Sequence, residues 1–386
     1  MDWCLFHTLL SFDSTSGKER EVAEWLLQTL EAPDKKAMEV GDGTLNLLFS
    51  WGTPKLVFCS HMDTVPPYIP CTFEGGSAPL LSPCGSRPIS PPSSDTASAE
   101  RSDERSESFE KPSVVKGRGS CDAKGQVFAM YAACKELERE GCTDFGLLLL
   151  AGEETGSWGA KAFSKTGFTA PFLIVGEPTE NKMVSASKGT LSYDLKFSGE
   201  AFHSGYPQYG VSAVELFNEF YNRLKAQDWG VDPELGETTW NVGLLHSDNP
   251  QNILSPELTC RIYFRTTFVS HEKVKAWMEE IPGQAGNDGV SAGNDGERHG
   301  RPRPAISARG GDVPAHYVTL EGFASAPVAF GSDAPHLTGF GHKIICGPGS
   351  IRVAHRPEEH ILVKDLETAV EQYVQMARFL QNIEKQ

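Results

Sequence analysis

Glu153 and Glu154 stand side by side directly after four leucines, Leu147 to Leu150, in the segment LLLLAGEETGSWGAKAF. The apolar run reads as a buried strand, and Ala151-Gly152 ends it. Open α/β sheets place their chemistry at such strand ends. Two like charges there do little for a purely structural protein. They suit metal chemistry, in which one carboxylate holds a cation and its neighbour moves a proton.

Four other segments carry residues of the matching type. His61 and Asp63 close the apolar strand LVFCS, where His61 can ligate a metal and Asp63 can fix the imidazole from behind. Asp122 lies in GRGSCDAKG just before a helix, a place where a simple N-cap is also expected. Glu177 follows FLIVG, and Pro178 stops that strand from continuing. His355 lies in GSIRVAHRPEEH, a loop after KIIC. Each residue alone is ordinary; together they repeat one placement, which in a parallel sheet lies along a single edge. Two histidines with several carboxylates make a mixed N/O site suited to Zn²⁺ or Co²⁺ and tolerant of Mn²⁺. Five ligands are too many for one tetrahedral ion, but two ions bridged by one carboxylate, about 3.5–4 Å apart, use them all.

Several elements must hold these points in place. LNLLFSW, KLVFCSH, the leucine run and FLIVG read as strands that alternate with helices over Ser14 to Glu31, within Gly117 to Gly141, and near Ala160. Ser16 and Glu19 have the spacing of a capping box for the first of these helices. The alternation predicts an α/β catalytic domain with a mostly parallel sheet flanked by helices. From Lys182 the pattern changes. MVSASKGTLSYDLKFSGE reads as paired strands, Val211 to Ala226 as a helix, ELTCRIYFRTTF as a strand, HEKVKAWMEEI as a second helix and AHYVTLEGF as a closing strand. That is a smaller α+β domain inserted into the first. The expected division is 1–182 with 325–386 for the catalytic domain and 183–324 for the insertion. Residues 75–112 and 283–311, rich in Ser, Pro and Gly, read as disordered insertions within the two domains.

Composition bounds the function. The chain has 386 residues, 39% of them hydrophobic, enough for two domains with real cores. Its net charge of -16 argues against a nucleic-acid binder or a polybasic membrane anchor. Nine cysteines without a CxxC pair fit a reducing compartment, and the N-terminal stretch lacks the basic start of a secretory signal. The expectation is a soluble cytoplasmic protein.

HMDTVP, GRGSCDAKG, AGEETGSWGAKAF, VGEPT, AFHSG and VAHRPEEHI resemble, in order and spacing, the M20 family of metallopeptidases and deacylases. The resemblance covers nearly the whole chain outside the two insertions. It implies a zinc-aminopeptidase-like catalytic domain and a ferredoxin-like domain serving dimerisation or as a lid. It implies two divalent ions, Zn²⁺ or Co²⁺: Asp122 bridges them, His61 and Glu177 complete one, and Glu154 and His355 complete the other. Asp63 orients His61, and Glu153 is the general base. His203 of AFHSG is implied to reach an active site, often of the opposite subunit, and to stabilise the oxyanion. Arg265 falls where family members hold a substrate carboxylate, and Asn252 matches the family's NVIP-like segment. Gly331, Ser332, Asp333 and Gly347 to Gly349 resemble cleft-lining loops. Phe202 departs from the family pattern, which has a small residue there. The implied reaction is hydrolysis of an N-acyl amino acid, with N-acetylornithine in arginine biosynthesis favoured. Acetyl-lysine, succinyl-diaminopimelate or peptide substrates are the alternatives, and a homodimer is expected. A non-catalytic binding protein on the same fold is the different-class alternative; retention of every ligand and of the base argues against it.

Overall fold

The computed structural model describes residues 1–41, 43–76, 111–283 and 304–383, which fall into two compact units. The first comprises Met1–Val184, Tyr317–Ser325 and Ser332–Gln386; the second comprises Ser185–His316 and Ala326–Gly331. Most of the two stretches read as insertions lies outside the described residues.

The first unit is built on a six-stranded sheet ordered Asp34–Gly41, Thr44–Trp51, Phe145–Leu150, Leu56–His61, Ala170–Val175 and Phe340–Ile345. The last four strands run parallel, and the first two join them antiparallel. Leu56–His61 and Phe145–Leu150 are buried at every residue. A parallel strand covered on both faces requires such an unbroken apolar run. The helices Lys124–Arg139 and Val363–Ile383 pack on each other and on Leu56–His61, while Arg20–Thr29 and Trp158–Ser164 pack on Thr44–Trp51. Register then fixes the edge that carries the chemistry. His61 lies opposite Leu150, and Cys59 lies opposite Val175. The residues following all three strands therefore emerge at nearly one level.

The Ser16–Glu19 capping box does not form. The helix starts at Arg20 without a side-chain cap. Glu19 Oε2 accepts the Gly17 N–H at 2.7 Å, and the Ser16 hydroxyl donates to Asp63 Oδ2 at 2.8 Å. A short polar side chain that finds a carboxylate elsewhere in the fold abandons the local cap.

The second unit holds a four-stranded antiparallel sheet ordered Thr239–His246, Glu257–Thr266, Gly189–Ser198 and Ala305–Gly310, with the helices Ala213–Lys225 and His271–Gly283. In chain order this is a β-α-β-β-α-β arrangement of the ferredoxin-like kind. Leu216, Phe220 and Leu224 of the first helix join Phe197, Ile262, Phe264, Val274 and Met278 in its core. Two expectations are corrected here. Met183–Ser187 pairs with Ala315–His316 rather than with Gly189–Ser198. The closing strand is Ala305–Gly310, within the stretch read as an insertion, whereas AHYVTLEGF contributes only Ala315–His316.

Candidate metal centre

His61 is the last residue of its strand and is almost fully buried. Its Nδ1 lies 3.0 Å from the Asp63 carbonyl oxygen and 3.3 Å from Asp63 Oδ1, so that nitrogen faces the protein. Its Nε2 lies 3.3 Å from Asp122 Oδ1. Asp122 Oδ2 is in turn 3.3 Å from His355 Nε2, which is 2.9 Å from Glu154 Oε1. Asp122 thus presents one oxygen to each histidine. Three groups of ligand atoms lie within 4.8 Å of one another: His61, Asp122 and Glu177; Asp122, Glu154 and His355; and His61, Glu153 and Glu154. The first two groups share Asp122 and draw on all five sequence-derived ligands.

Asp63 does more than face His61. Its Oδ1 accepts the Glu153 N–H at 3.0 Å and its Oδ2 accepts the Glu154 N–H at 3.1 Å. One buried carboxylate therefore holds the histidine strand end to the turn that carries both glutamates. Gly152 makes that turn feasible. Its φ is +68°, and a Cβ there would come within 2.9 Å of Trp158 Cδ1.

The electrostatics follow from crowding carboxylates in a dry place. Burial pushes Glu153 well above the usual carboxylate range; Asp333, Glu154 and Asp122 push the same way, and His61 opposes them. Burial likewise raises Glu177 strongly, with Glu153 and Asp122 adding to it. Burial also pushes Asp122 up, but hydrogen bonds from His355 and His61 override it and hold its carboxyl well below the usual range. The Asp122 and Glu154 carboxylates raise His355 to about 10. Glu177 Oε1 is buried without any hydrogen-bond partner. An unpaired buried carboxylate oxygen is costly, and a cation removes the cost. The donor set of two imidazoles and three carboxylates fits a pair of divalent ions such as Zn²⁺.

Asp333, expected only as part of a cleft-lining loop, is a buried neighbour of the cluster. It is 2% exposed, its Oδ1 has no hydrogen-bond partner, and it lies close enough to raise Glu153 and Glu177. Burial raises its own carboxyl to about 6, against His61 and a hydrogen bond from Ser157. The GSD turn alone carries no signal for this.

The other sequence candidates are spread over both units. His203 and Asn252 are neighbours in the second unit, where Ser204 N donates to the Asn252 carbonyl at 2.9 Å and His203 bridges to Ile253. His203 is exposed, and its Nδ1 accepts the Gly205 N–H at 3.0 Å. Arg265, on the strand Glu257–Thr266, lies over the Tyr263 ring at 4.9 Å and pairs with no carboxylate among the described residues. Ser332 is buried in the first unit, with its hydroxyl 3.3 Å from the Ala334 nitrogen, and Gly331 belongs to the second unit. Gly347 is packed behind Glu177: a Cβ there would lie 2.6 Å from the Glu177 carbonyl oxygen and 2.3 Å from Gln126 Oε1.

The family model for peptidase family M20/M25/M40 matches residues 95–378. The chain belongs to this peptidase family. A probable carboxypeptidase of Talaromyces marneffei is 30% identical over 410 residues, covering 96% of this chain and 83% of the relative. Another, from Aspergillus oryzae, is 30% identical over 402 residues, covering 95% and 85%. Among solved structures, a tripeptidase from Staphylococcus aureus aligns with a TM-score of 0.68 at 18% identity, covering 96% of this chain and 95% of that one. An M20 family metallo-carboxypeptidase from Sulfolobus solfataricus aligns at 0.62 and 16%, covering 97% and 98%. A dinuclear metal binding peptidase of the M20 family from Bacillus subtilis aligns at 0.60 and 10%, with the same coverage. These structural likenesses are likenesses of fold. As an M20 peptidase the protein is a metal-dependent hydrolase acting on amide bonds.

Proposed function

We propose that this M20 peptidase is a two-ion carboxypeptidase that releases a free amino acid from the C-terminal end of a short peptide or N-acyl amino acid. One observation carries the reading: Asp122 presents its two oxygens to His61 and His355, so that two ligand triads meet on a single carboxylate. His61, Asp122 and Glu177 would hold one ion, and Asp122, Glu154 and His355 the other. Zinc or a similar ion would polarise the scissile carbonyl and lower the pKa of a water beside it.

The chain's own groups supply the rest. Glu153 belongs to neither of the two triads that meet on Asp122, so its carboxylate is free to take a proton from the attacking water and pass it to the leaving nitrogen. Asp63 fixes both the His61 ring and the Glu153 backbone, which keeps the proton carrier at a constant distance from the ligands. Burial, with Asp333 and the other carboxylates adding to it, keeps the Glu153 carboxyl inclined to hold a proton once it has one. Among the described residues the Arg265 guanidinium has no acidic partner, and we assign it the carboxylate of the released amino acid, which a guanidinium binds in bidentate fashion. His203 is assigned the developing oxyanion, with Asn252 beside it.

The names of the relatives favour a peptide substrate over N-acetylornithine. A panel of dipeptides, tripeptides, N-acetylornithine, N-acetyl-lysine and N-succinyl-diaminopimelate, assayed for free amine, tests this directly. Turnover of N-acetylornithine with none of any peptide would overturn the carboxypeptidase reading. A homodimer through the second unit is part of the same proposal. It is supported by the edge strand Thr239–His246, which exposes Leu244 at 70% and Leu245 at 55%. Light scattering of a Leu244→Lys/Leu245→Lys variant should then report a monomer.

A further inference from the structure

Arg118 and Glu359 form an ion pair with almost no solvent contact, at 2% and 1% exposure, although some 240 residues separate them in the chain. Replacing a pair of this kind with apolar residues is often neutral or favourable to stability, so stability alone does not explain it. Its hydrogen bonds point elsewhere. Glu359 Oε1 accepts three N–H groups of one loop: Gly119 at 2.9 Å, Cys121 at 3.2 Å and Asp122 at 3.1 Å. Arg118 donates to the Pro67 carbonyl at 3.2 Å and to the Arg356 carbonyl at 3.4 Å. Gly117 N donates to the Glu359 carbonyl, and His360–Leu362 pairs with Val114–Lys116 as strands. One end of the pair therefore grips the backbone of Asp122, and the other grips the residue next to His355.

The two ligand triads are held differently. His61 ends, and Glu177 closely follows, a strand in the interior of the sheet. His355 belongs to no strand or helix. Its side chain is 48% exposed, and its φ of +63° is one that a residue with a Cβ adopts only under outside constraint. Arg118 and Glu359 supply such a constraint, and they apply it to two ligands of the same triad.

We propose that the Arg118–Glu359 pair is a positioning lock that presets Asp122 and His355 for the ion they share with Glu154, so that this ion, more than the one at His61 and Glu177, depends on it. This rests on the two-ion reading above. Neither residue touches substrate or ion; both act through the ligands.

Zinc titration calorimetry on the chelator-stripped full chain separates the outcomes. Wild-type protein takes up two ions. Glu359→Gln keeps the size of the side chain and an acceptor for the three amides but removes the charge that holds Arg118. We expect the ion held with His355 to bind roughly 10–100-fold more weakly, the usual loss when a partner behind a metal ligand is removed, and the ion at His61 and Glu177, which shares Asp122 alone with it, to weaken less. Amide exchange across residues 117–122 of the metal-free variant should quicken while the central strands stay protected. Arg118→Lys, which keeps the charge but cannot reach both carbonyls, should shift the same ion in the same direction and serves as the readout if Glu359→Gln does not fold. Wild-type affinity for both ions in these variants, or equal weakening of both with faster exchange throughout, overturns the lock. A wild-type chain that takes up only one ion overturns the two-ion reading itself.

Discussion

Asp63 accepts the backbone N–H of Glu153 at 3.0 Å, so the residue that faces His61 also anchors the proposed proton carrier. An amide at position 63 offers only one acceptor oxygen for the N–H groups of Glu153 and Glu154 and the hydroxyl of Ser16. Asp63→Asn should therefore lower kcat about 10–100-fold. Steady-state kinetics beside metal analysis will show whether the loss exceeds any change in zinc content. Full activity would detach the turn from the mechanism.

Glu153→Ala separates the two glutamates. General acid–base catalysis is worth roughly 10²–10⁴-fold, and that is the expected fall in kcat. Bound zinc should stay at the wild-type ratio, because Glu154 and not Glu153 joins Asp122 and His355. If Glu153→Ala instead loses an ion while Glu154→Ala keeps both, the assignments are reversed.

Removing metal should abolish activity and also soften the fold. Glu177 Oε1 and Asp333 Oδ1 are buried without partners, so a cation that satisfies the cluster binds the folded chain alone. Ligand at about 100 times its Kd adds roughly 2.7 kcal/mol of stability. Thermal melts in chelator and in graded zinc should show Tm rising with free zinc. A Tm indifferent to zinc would contradict a cluster built for cations.

His271 gives the second unit a pH dependence of its own. The ring is buried at the start of its helix, with Nδ1 2.7 Å from Thr266 Oγ1, and burial holds its pKa below 6.5. The unfolded chain therefore binds this proton more readily than the folded chain. Stability from this group is full above pH 6.5 and declines as pH falls through the window below that value. His271→Gln should flatten that acid limb in urea titrations and leave the curve above neutrality with the same slope. An unchanged acid limb would assign it to other groups.

The legible parts of the sequence were those that local pattern can encode. Unbroken apolar runs such as Leu147 to Leu150 mark central strands, and whatever follows them is forced to one sheet edge, so His61, Glu154 and Glu177 could be read together. What local pattern hid depends on contacts far along the chain. Ser16 and Glu19 look like a capping box until Asp63, 47 residues on, takes the serine hydroxyl. Arg118 and Glu359 look like ordinary motif charges until the fold pairs them. The strand Ala305–Gly310 escaped because it adjoins a glycine-rich run and is largely exposed, so no apolar alternation announces it.

The order of the ligands along the chain also has a consequence for how the protein is made. The first, His61, and the last, His355, are separated by roughly 300 residues, which take about 15–60 s to synthesise at roughly 5–20 residues per second. Throughout that interval the emerging chain carries half a site: carboxylates and one imidazole in search of a partner. On the two-ion reading, the ion held with His355 can be captured only after residue 355 has left the ribosome. Loading of that ion is therefore the later step, whereas the triad of His61, Asp122 and Glu177 is complete in the chain once residue 177 has been made.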